Sequence, residues 1–207
     1  MKRITISILV LLYSVTGALY AQSNSVLNRL YQKMAGSAVS MDFSYVLNMS
    51  GTRTIGDGTI LLQDGAYVMK GNGLQINCDM QNVWVIDAAG KEVILETAAQ
   101  GEQSYLENPA LLLANLTETF NVDKSSVSGS VYTYCLSPKV SCGVTDAKVS
   151  ISTSPDPIID SASFTLSDGG ELDIKIKSMT FSEKKPLTSF YYDISLLDSS
   201  WLITDLR

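Results

Sequence analysis

The sequence predicts a mainly β protein of the α+β class, in which antiparallel strands are accompanied by two or three short helices. Short apolar runs with a period of two residues are separated by Gly, Asp and Asn turns, as in residues 56–87, GDGTILLQDGAYVMKGNGLQINCDMQNVWVID. Connections this short join antiparallel neighbours, because a parallel crossover needs roughly a dozen residues or more. Helical periodicity is confined to two stretches, residues 23–35 and 108–120.

The first residues have the pattern of a secretory signal peptide. A basic pair, KR, precedes an apolar run over residues 4–15, and the following GALYA ends in a small residue at Ala21. An uncleaved membrane anchor is the alternative, but a spanning helix needs about 20 apolar residues and this run is shorter. We therefore expect residues 1–21 to be removed and residues 22–207 to form one periplasmic domain.

The first helix is predicted over residues 23–35, SNSVLNRLYQKMA. Serines at its start can cap it, and Gly36 is a natural C-terminal stop. Apolar side chains recur at helical spacing along one face, at Val26, Leu27, Leu30, Tyr31 and Met34. The helix is therefore amphipathic, and the rest of the domain must cover its apolar face.

From residue 41 the period changes to two, which predicts strands with one apolar side. In residues 41–49, MDFSYVLNM, every odd position is large and apolar. The alternation continues through four shorter runs, whose apolar positions are Ile60 and Leu62, then Tyr67 and Met69, then Leu74, Ile76, Cys78 and Met80, then Trp84 and Ile86. Turn sequences such as QDG at residues 63–65 separate the runs and predict an antiparallel meander.

A second helix is predicted over residues 108–120, NPALLLANLTETF. Asn108 can cap it, Pro109 suits its first position, and one side carries Leu112, Leu113, Leu116 and Phe120. Further strands are predicted after it, at residues 131–136, 147–152, 159–166, 171–181 and 189–194. In the fourth of these the apolar parity changes near Ser178, which predicts a β-bulge.

Composition argues against several classes of function. The chain has 21 acidic against 15 basic residues, a formal net charge of −6, and no basic cluster that would bind nucleic acid or an anionic membrane surface. It contains no histidine, which removes the commonest general base and many metal ligand sets. We therefore expect no cofactor, no metal site and no catalytic residue. The alternative is a hydrolase in which two of the scattered carboxylates converge in space.

The three cysteines leave one question open. Cys135 and Cys142 flank a predicted turn, LSPKVS, so they either form a disulfide in an oxidising compartment or remain two free buried thiols. Cys78 lies within an apolar alternation and is predicted to be a small buried hydrophobic residue.

Four short motifs occur in a distinctive order along the chain. They are Gly56-x-Gly58 before apolar strand residues, DMQNVWVID at residues 79–87, NPALLL at residues 108–113 and YCLSPK at residues 134–139. In this order, and together with the signal peptide and the first helix, they resemble the LolA family, the periplasmic carriers of outer-membrane lipoproteins. The resemblance covers nearly all of residues 22–207, although no single motif is specific by itself.

The resemblance implies an incomplete antiparallel β-barrel, or curved sheet, with a helical lid over a hydrophobic cavity for acyl chains. It implies a monomeric, non-enzymatic carrier of acylated lipoproteins or of another lipid, with an inner-membrane ABC transporter and an outer-membrane receptor as partners. Family members typically latch the lid with an arginine after the first hairpin strand. The corresponding turn here, residues 63–65, has no arginine, and Arg53 lies one turn earlier. This turn therefore departs from the family pattern for the lid latch, on which transporter-driven loading depends.

The predicted cavity wall comprises apolar side chains from the strands and from both helices. They are Phe43, Tyr45, Leu47, Met49, Ile60, Leu62, Leu74, Ile76, Met80 and Trp84 on strands, and Leu27, Leu30, Leu112, Leu113 and Leu116 on helices. Methionines favour a pliable lining, at Met34, Met41, Met49, Met69 and Met80. The alternative for each residue is an ordinary core position. For the whole domain it is a structural or interaction module, whose sheet packs tightly on its helices.

Overall fold

Strands dominate the computed structural model, which describes residues 25–99 and 119–207. Residues 25–35 form one α-helix, α1, and 3₁₀ turns occur at Leu187–Ser189 and Ile194–Leu196. The strands are β1 (Ala38–Met49), β2 (Thr52–Gln63), β3 (Ala66–Gly71), β4 (Leu74–Cys78), β5 (Asn82–Asp87), β6 (Glu92–Thr97), β7 (Phe120–Ser128), β8 (Val131–Pro138), β9 (Val144–Ser152), β10 (Ile158–Leu166), β11 (Glu171–Ser182) and β12 (Leu202–Asp205). The predicted signal peptide and most of the predicted second helix lie outside the described residues.

All twelve strands belong to one sheet, in the spatial order β12-β6-β5-β4-β3-β2-β1-β11-β10-β9-β8-β7. Strands β1 to β6 form one antiparallel meander and β7 to β11 form a second. The two meanders join where β1 pairs with β11, strands that are far apart in the sequence. Within the described ranges the outer strands β7 and β12 do not pair with each other, so the sheet is open. The predicted fold class, a mainly β protein with a curved antiparallel sheet, is confirmed.

Two local predictions were wrong. Phe120, predicted to end the second helix, instead begins β7 and pairs with Pro138. Residues 189–194 are not a strand, because the chain there crosses the sheet in two 3₁₀ turns. That long crossing brings β12 back beside β6 in the parallel direction, which a short hairpin connection could not do.

The predicted bulge near Ser178 is confirmed. Asp42 pairs with Ser178 while the next residue, Phe43, pairs with Ile176, so Lys177 is an extra residue on β11. The bulge shifts the alternation of β11 by one residue. Met179 and Ile176 therefore face the same side of the sheet, although their positions differ by three, an odd number that would place them on opposite sides of a regular strand.

Helix α1 buries its apolar face in the main hydrophobic cluster of the protein. Four of its side chains are almost completely buried there: Val26, Leu27, Leu30 and Met34. At its surface, Lys33 Nζ lies 2.8 Å from Asp156 Oδ2 and 4.4 Å from the centre of the Phe181 ring. These contacts attach the helix to one face of the sheet, which is called the inner face below. Neither α1 nor any other helix of the described residues has the length and apolar character needed to cross a membrane.

A second buried cluster lies on the opposite, outer face of the sheet, under residues 183–201, which join β11 to β12 and are called the C-terminal segment below. Its members on the sheet are Trp84, Ile86, Val93 and Leu95, and Tyr192, Ile194, Leu197 and Trp201 of the segment pack against them. The Gln63 side chain exchanges two hydrogen bonds with the main chain of Lys185. The Asn77 amide donates to the main-chain carbonyls of Phe190 and Tyr191. The C-terminal segment is thereby fixed across the back of the first meander.

Candidate functional site

An apolar cavity of about 400 Å³ lies against the inner face of β1 to β4 and β11. Apolar side chains make up most of its lining, which comprises Met41, Phe43, Tyr45, Asp57, Gly58, Ile60, Met69, Lys70, Gly71, Asn72, Leu74, Ile76, Leu172, Ile174 and Ile176. The cavity therefore spans the junction between the two meanders, at the pairing of β1 with β11.

The strand pairing explains why these side chains converge. Phe43 lies opposite Ile176 on β11 and opposite Gly58 on β2. Tyr45, two residues along β1, lies in the same way between Ile174 and Gly56. Because directly paired residues and every second residue along a strand face the same side of a sheet, these positions form one inward-facing surface.

Two glycines on β2 leave room for the aromatic rings of β1. A Cβ atom added at Gly58 would lie 2.5 Å from Phe43 Cζ, and one added at Gly56 would lie 2.7 Å from the Tyr45 hydroxyl oxygen. Real Cβ atoms do not approach other heavy atoms so closely, so the two rings rest over the bare backbone of β2. The Gly56-x-Gly58 motif thus has a physical role, which is to seat two rings of the cavity wall.

The described part of the wall turns no charged side chain toward the cavity. Asp57 and Lys70 alternate with inward-facing neighbours, so their side chains lie on the outer face and only their main-chain atoms border the cavity. There the Asp57 carboxylate pairs with Lys177. The polar side chains that do face inward are Tyr45 and Asn72, and the Asn72 amide donates a hydrogen bond to the Tyr45 hydroxyl.

Exposure increases along the cavity from one end to the other. Met41 and Ile60 are buried, with 2% and 5% of their surface exposed, whereas Leu74 is 41% exposed. Phe43 on β1 and Ile76 on β4 are half-buried. The cavity is therefore deepest near Met41, and its mouth lies near Leu74 and the β3–β4 turn.

Five of the residues predicted for the cavity wall lie in it: Phe43, Tyr45, Ile60, Leu74 and Ile76. Three others are instead packed in the closed core, namely Leu27, Leu30 and Leu62. Leu112, Leu113 and Leu116 lie outside the described residues. The prediction also missed Leu172, Ile174 and Ile176 of β11, whose apolar alternation is visible in the sequence but whose pairing with β1 is not.

Four further predictions for the wall are corrected by the structure. Leu47 and Met49 lie where β1 continues past the cavity, and Met49 is 43% exposed. Met80 lies in the turn between β4 and β5 with a positive φ of 76° and is 38% exposed. Trp84 is buried, but it belongs to the outer-face cluster. Cys78 faces inward and pairs with Val83, so the odd-numbered apolar residues of β5 face inward and Trp84 faces outward.

None of the three cysteines forms a disulfide in the structure, so the bond between Cys135 and Cys142 that the sequence left open is not formed. Cys135 is exposed on the outer face of β8, whereas Cys142 is buried in the core, and their side chains therefore point to different sides of the sheet. Cys78 is completely buried, as predicted. Burial raises the pKa of its thiol, which a hydrogen bond with the main chain of Met80 only partly offsets.

Two further ionisable groups of the described residues have pKa values that are raised by burial. Burial raises the pKa of the Tyr31 hydroxyl, whose oxygen has no hydrogen-bond partner among the described residues. Burial also raises the pKa of the Asp160 carboxyl. Across residues 25–99 and 119–207, no group of three His, Cys, Asp or Glu side chains is placed to hold a metal ion.

No family model matches the sequence, and no curated protein matches it. Solved structures are similar to it. A conserved, uncharacterised protein from Thermus thermophilus has a TM-score of 0.52 at 8% identity, covering 89% of this chain and 99% of that one. A LolA superfamily protein from Nitrosomonas europaea has a TM-score of 0.46 at 10% identity, covering 82% and 97%. An outer membrane lipoprotein-sorting protein domain from Vibrio parahaemolyticus has a TM-score of 0.44 at 11% identity, covering 81% and 95%. The similarity to the Thermus thermophilus protein concerns the fold alone, and the resemblance to the LolA family stays a prediction.

Proposed function

We propose that this protein is a non-enzymatic carrier that binds an acyl chain of a lipoprotein, or of another lipid, in the inner-face cavity. The observation that carries the proposal is the cavity wall, in which apolar side chains from two meanders face one space and the described residues add no charge. A volume of about 400 Å³ lies within the range of roughly 300–1,000 Å³ that is common for small-molecule sites. A hydrocarbon chain is the ligand that such a wall accommodates best.

Burial of hydrocarbon supplies enough free energy for binding without any reactive group. Each methylene removed from water contributes about 0.8 kcal/mol, so a chain with on the order of ten buried methylenes gains roughly 8 kcal/mol. Part of this gain is lost because the chain becomes ordered. Two methionines in the wall, Met41 and Met69, can adjust to chains of different shape, since the Met side chain is flexible.

The predicted signal peptide supports an extension of the proposal to the cell envelope. Cleavage after Ala21 would release the carrier into the periplasm, where it would take lipoproteins from the inner to the outer membrane. In this scheme an inner-membrane ABC transporter loads the cavity and an outer-membrane receptor empties it. Mass spectrometry of the mature N-terminus, together with cell fractionation, tests the first step of the scheme.

A pair of tryptophan substitutions on β11 tests binding in the cavity. Ile174→Trp places a large ring in the cavity, whereas Lys175→Trp places the same ring on the outer face of the same strand. In titrations with a fluorescent acyl probe, Ile174→Trp should weaken binding by about ten-fold or more because the ring overfills the site. Lys175→Trp should bind like the wild type.

Native mass spectrometry of the wild type, purified from its own source and extracted with solvent, identifies the bound lipid. An acylated species supports the proposal and names the class of cargo. If the two tryptophan variants and the wild type bind the probe equally, the cavity is not the binding site and the proposal fails.

A second candidate function, an interaction module, is favoured by the edge strand β12. Leu202 and Ile203 are 59% and 41% exposed on this strand, and an exposed apolar edge can add a strand from a partner. Under this alternative the protein binds no acyl probe. It instead captures a protein partner, and Leu202→Lys abolishes the capture.

A further inference from the structure

A strand edge without a partner lies beside the mouth of the cavity. Strand β2 pairs with β1 from Thr52 to Leu62, but it pairs with β3 only from Gly58 onward. On the β3 side, no strand of the described residues pairs with residues 52–56, which are called the β2 edge below. Every second residue of this edge therefore turns its main-chain N–H and C=O groups away from β1, where no described strand receives them.

One turn both ends the pairing of β2 with β3 and forms the mouth. The chain reverses after β3 at Asn72 and Gly73, both at positive φ, and Leu74 follows at the mouth of the cavity. Gly58, the first residue of β2 to pair with β3, borders the same cavity. A chain that leaves the cavity by this mouth therefore meets the β2 edge directly. The exposed strand β12, in contrast, lies at the far end of the first meander.

The β2 edge lacks the features that commonly protect an edge strand. It contains no Pro and no Lys, and its pairing with β1 continues without a register shift. The outer strand β7 differs, because it carries a bulge at Asp123 followed by Lys124. Bulges, prolines and lysines hinder the addition of a further strand. The β2 edge is therefore open to a strand from a partner.

Two side chains of the β2 edge indicate the chemistry of that partner. Ile55 is 65% exposed, and Arg53 makes no ion pair with any of the described residues. Both lie on the outer face together with Asp57, since side chains two residues apart share a face. Apolar pairs and pairs of opposite charge stabilise neighbouring strands. The partner that fits is an extended polypeptide with an apolar and an acidic residue two positions apart.

We propose that the β2 edge binds the polypeptide of an acylated cargo as an added strand, while the acyl chain of that cargo occupies the cavity. The inference rests on the proposed carrier function and narrows its cargo to lipoproteins rather than free lipids. The β2 edge is about 17 Å long, so it pairs with about five extended residues of the cargo next to the acylated position. Main-chain hydrogen bonds supply affinity in this mode of recognition, and the side chains supply selectivity.

Two probes with the same hydrocarbon chain test the added strand. One is a hexapeptide that carries a dodecanoyl group at its N-terminus and has a Glu two positions from a Val. The other is glycerol monododecanoate, which has no polypeptide. In calorimetric titrations the wild type should bind the acylated peptide about ten-fold or more tightly, because the peptide adds several main-chain hydrogen bonds.

Arg53→Glu with a charge exchange in the peptide tests the side-chain contact. The variant should bind the Glu peptide roughly three- to ten-fold more weakly than the wild type does and should bind glycerol monododecanoate equally well. A peptide with Lys in place of Glu should restore the affinity. Lys148→Glu, an exposed position on the outer face of β9, is the matched control and should change neither affinity.

Amide hydrogen exchange provides a readout that a charge contact alone would not change. The acylated peptide should slow exchange in residues 52–56, whereas glycerol monododecanoate should not. If the wild type binds both probes equally, or if residues 52–56 gain no protection, the added strand is overturned while the carrier function stands. Protection of these residues in the protein alone, together with a dimeric mass in analytical ultracentrifugation, would assign the edge to a second copy and also overturn it. If neither probe binds, both proposals are overturned.

Discussion

Strand β5 carries apolar side chains on both faces of the sheet, Trp84 and Ile86 on the outer face and Val83 and Val85 on the inner face, and the two faces are completed in opposite ways. On the outer face Trp84 is 1% exposed and the C-terminal segment closes tightly over it, with the Tyr191 ring edge-on at 5.0 Å. On the inner face Ile76 is only half-buried and borders the cavity. The outer face is a filled core and the inner face is the wall of a hollow, although the alternation of β5 places apolar side chains on both.

The difference shows what decides whether an apolar surface becomes a filled core or the wall of a cavity. The outer face has a covering segment whose backbone is held in place by two buried polar side chains, Gln63 and Asn77. The junction of β1 with β11 on the inner face keeps an open space between its apolar side chains. Substitutions on the two faces should therefore differ in their effects on stability and on ligand binding.

The largest effect is expected for Trp84→Ala on the filled face. Removal of a buried indole from a packed cluster leaves a void that the surroundings can only partly fill, and should cost about 3–5 kcal/mol of the free energy of unfolding. Urea denaturation followed by circular dichroism measures this loss. A cost below about 1 kcal/mol would mean that the C-terminal segment does not seal the outer face.

Two identical substitutions compare the faces directly. Ile86→Ala on the filled face should lower the free energy of unfolding by about 2–5 kcal/mol. Ile76 already borders the cavity, so Ile76→Ala creates little new empty space. It should lower the free energy of unfolding by only about 1 kcal/mol, which is close to the transfer free energy of the buried part of the side chain. Ile76→Ala should also alter the affinity for an acyl probe, whereas Ile86→Ala should not. Equal costs and equal affinities would remove the distinction between the faces.

Asn77→Ala tests the polar attachment of the covering segment. The substitution leaves the carbonyls of Phe190 and Tyr191 without their donor, at 3.1 Å and 3.3 Å in the native protein. It should destabilise the protein by about 1–3 kcal/mol, because buried polar groups are then left unpaired. Compared with the wild type, amide hydrogen exchange in the variant should accelerate more in residues 186–201 than in β8 to β10. Uniform acceleration across the sheet would contradict a local role for Asn77.

The smallest effect is expected for Lys184→Ala. Lys184 contacts both carboxylate oxygens of Asp64, at 2.8 Å and 2.6 Å, just where the C-terminal segment leaves β11. Both side chains are more than two-fifths exposed, and an ion pair in water contributes at most about 1 kcal/mol. Asp64→Asn is the matched partner variant. A larger loss in either variant would indicate that the ion pair, rather than the apolar cluster, holds the segment.

Local patterns in the sequence predicted the strands well because the alternation of apolar residues records which side of a strand is buried. The same pattern located the bulge near Ser178 and placed Phe43, Tyr45 and Ile76 on the cavity wall. It failed for Trp84, since parity cannot be carried across a turn until the pairing of Cys78 with Val83 is known. It also missed Ile174, because the junction of β1 with β11 joins residues that are far apart in the chain.

Intermolecular nuclear Overhauser effects between an acyl ligand and the methyl groups of the protein test the cavity most directly. With a ¹³C-labelled protein and an unlabelled glycerol monododecanoate, we expect contacts from the acyl chain to Met69, Ile76 and Ile174. We expect none to Ile86 or Val93 on the filled outer face. Contacts confined to the outer face, or binding that produces no contact to the cavity methyls, would contradict the claim that this protein carries acyl chains inside its curved sheet.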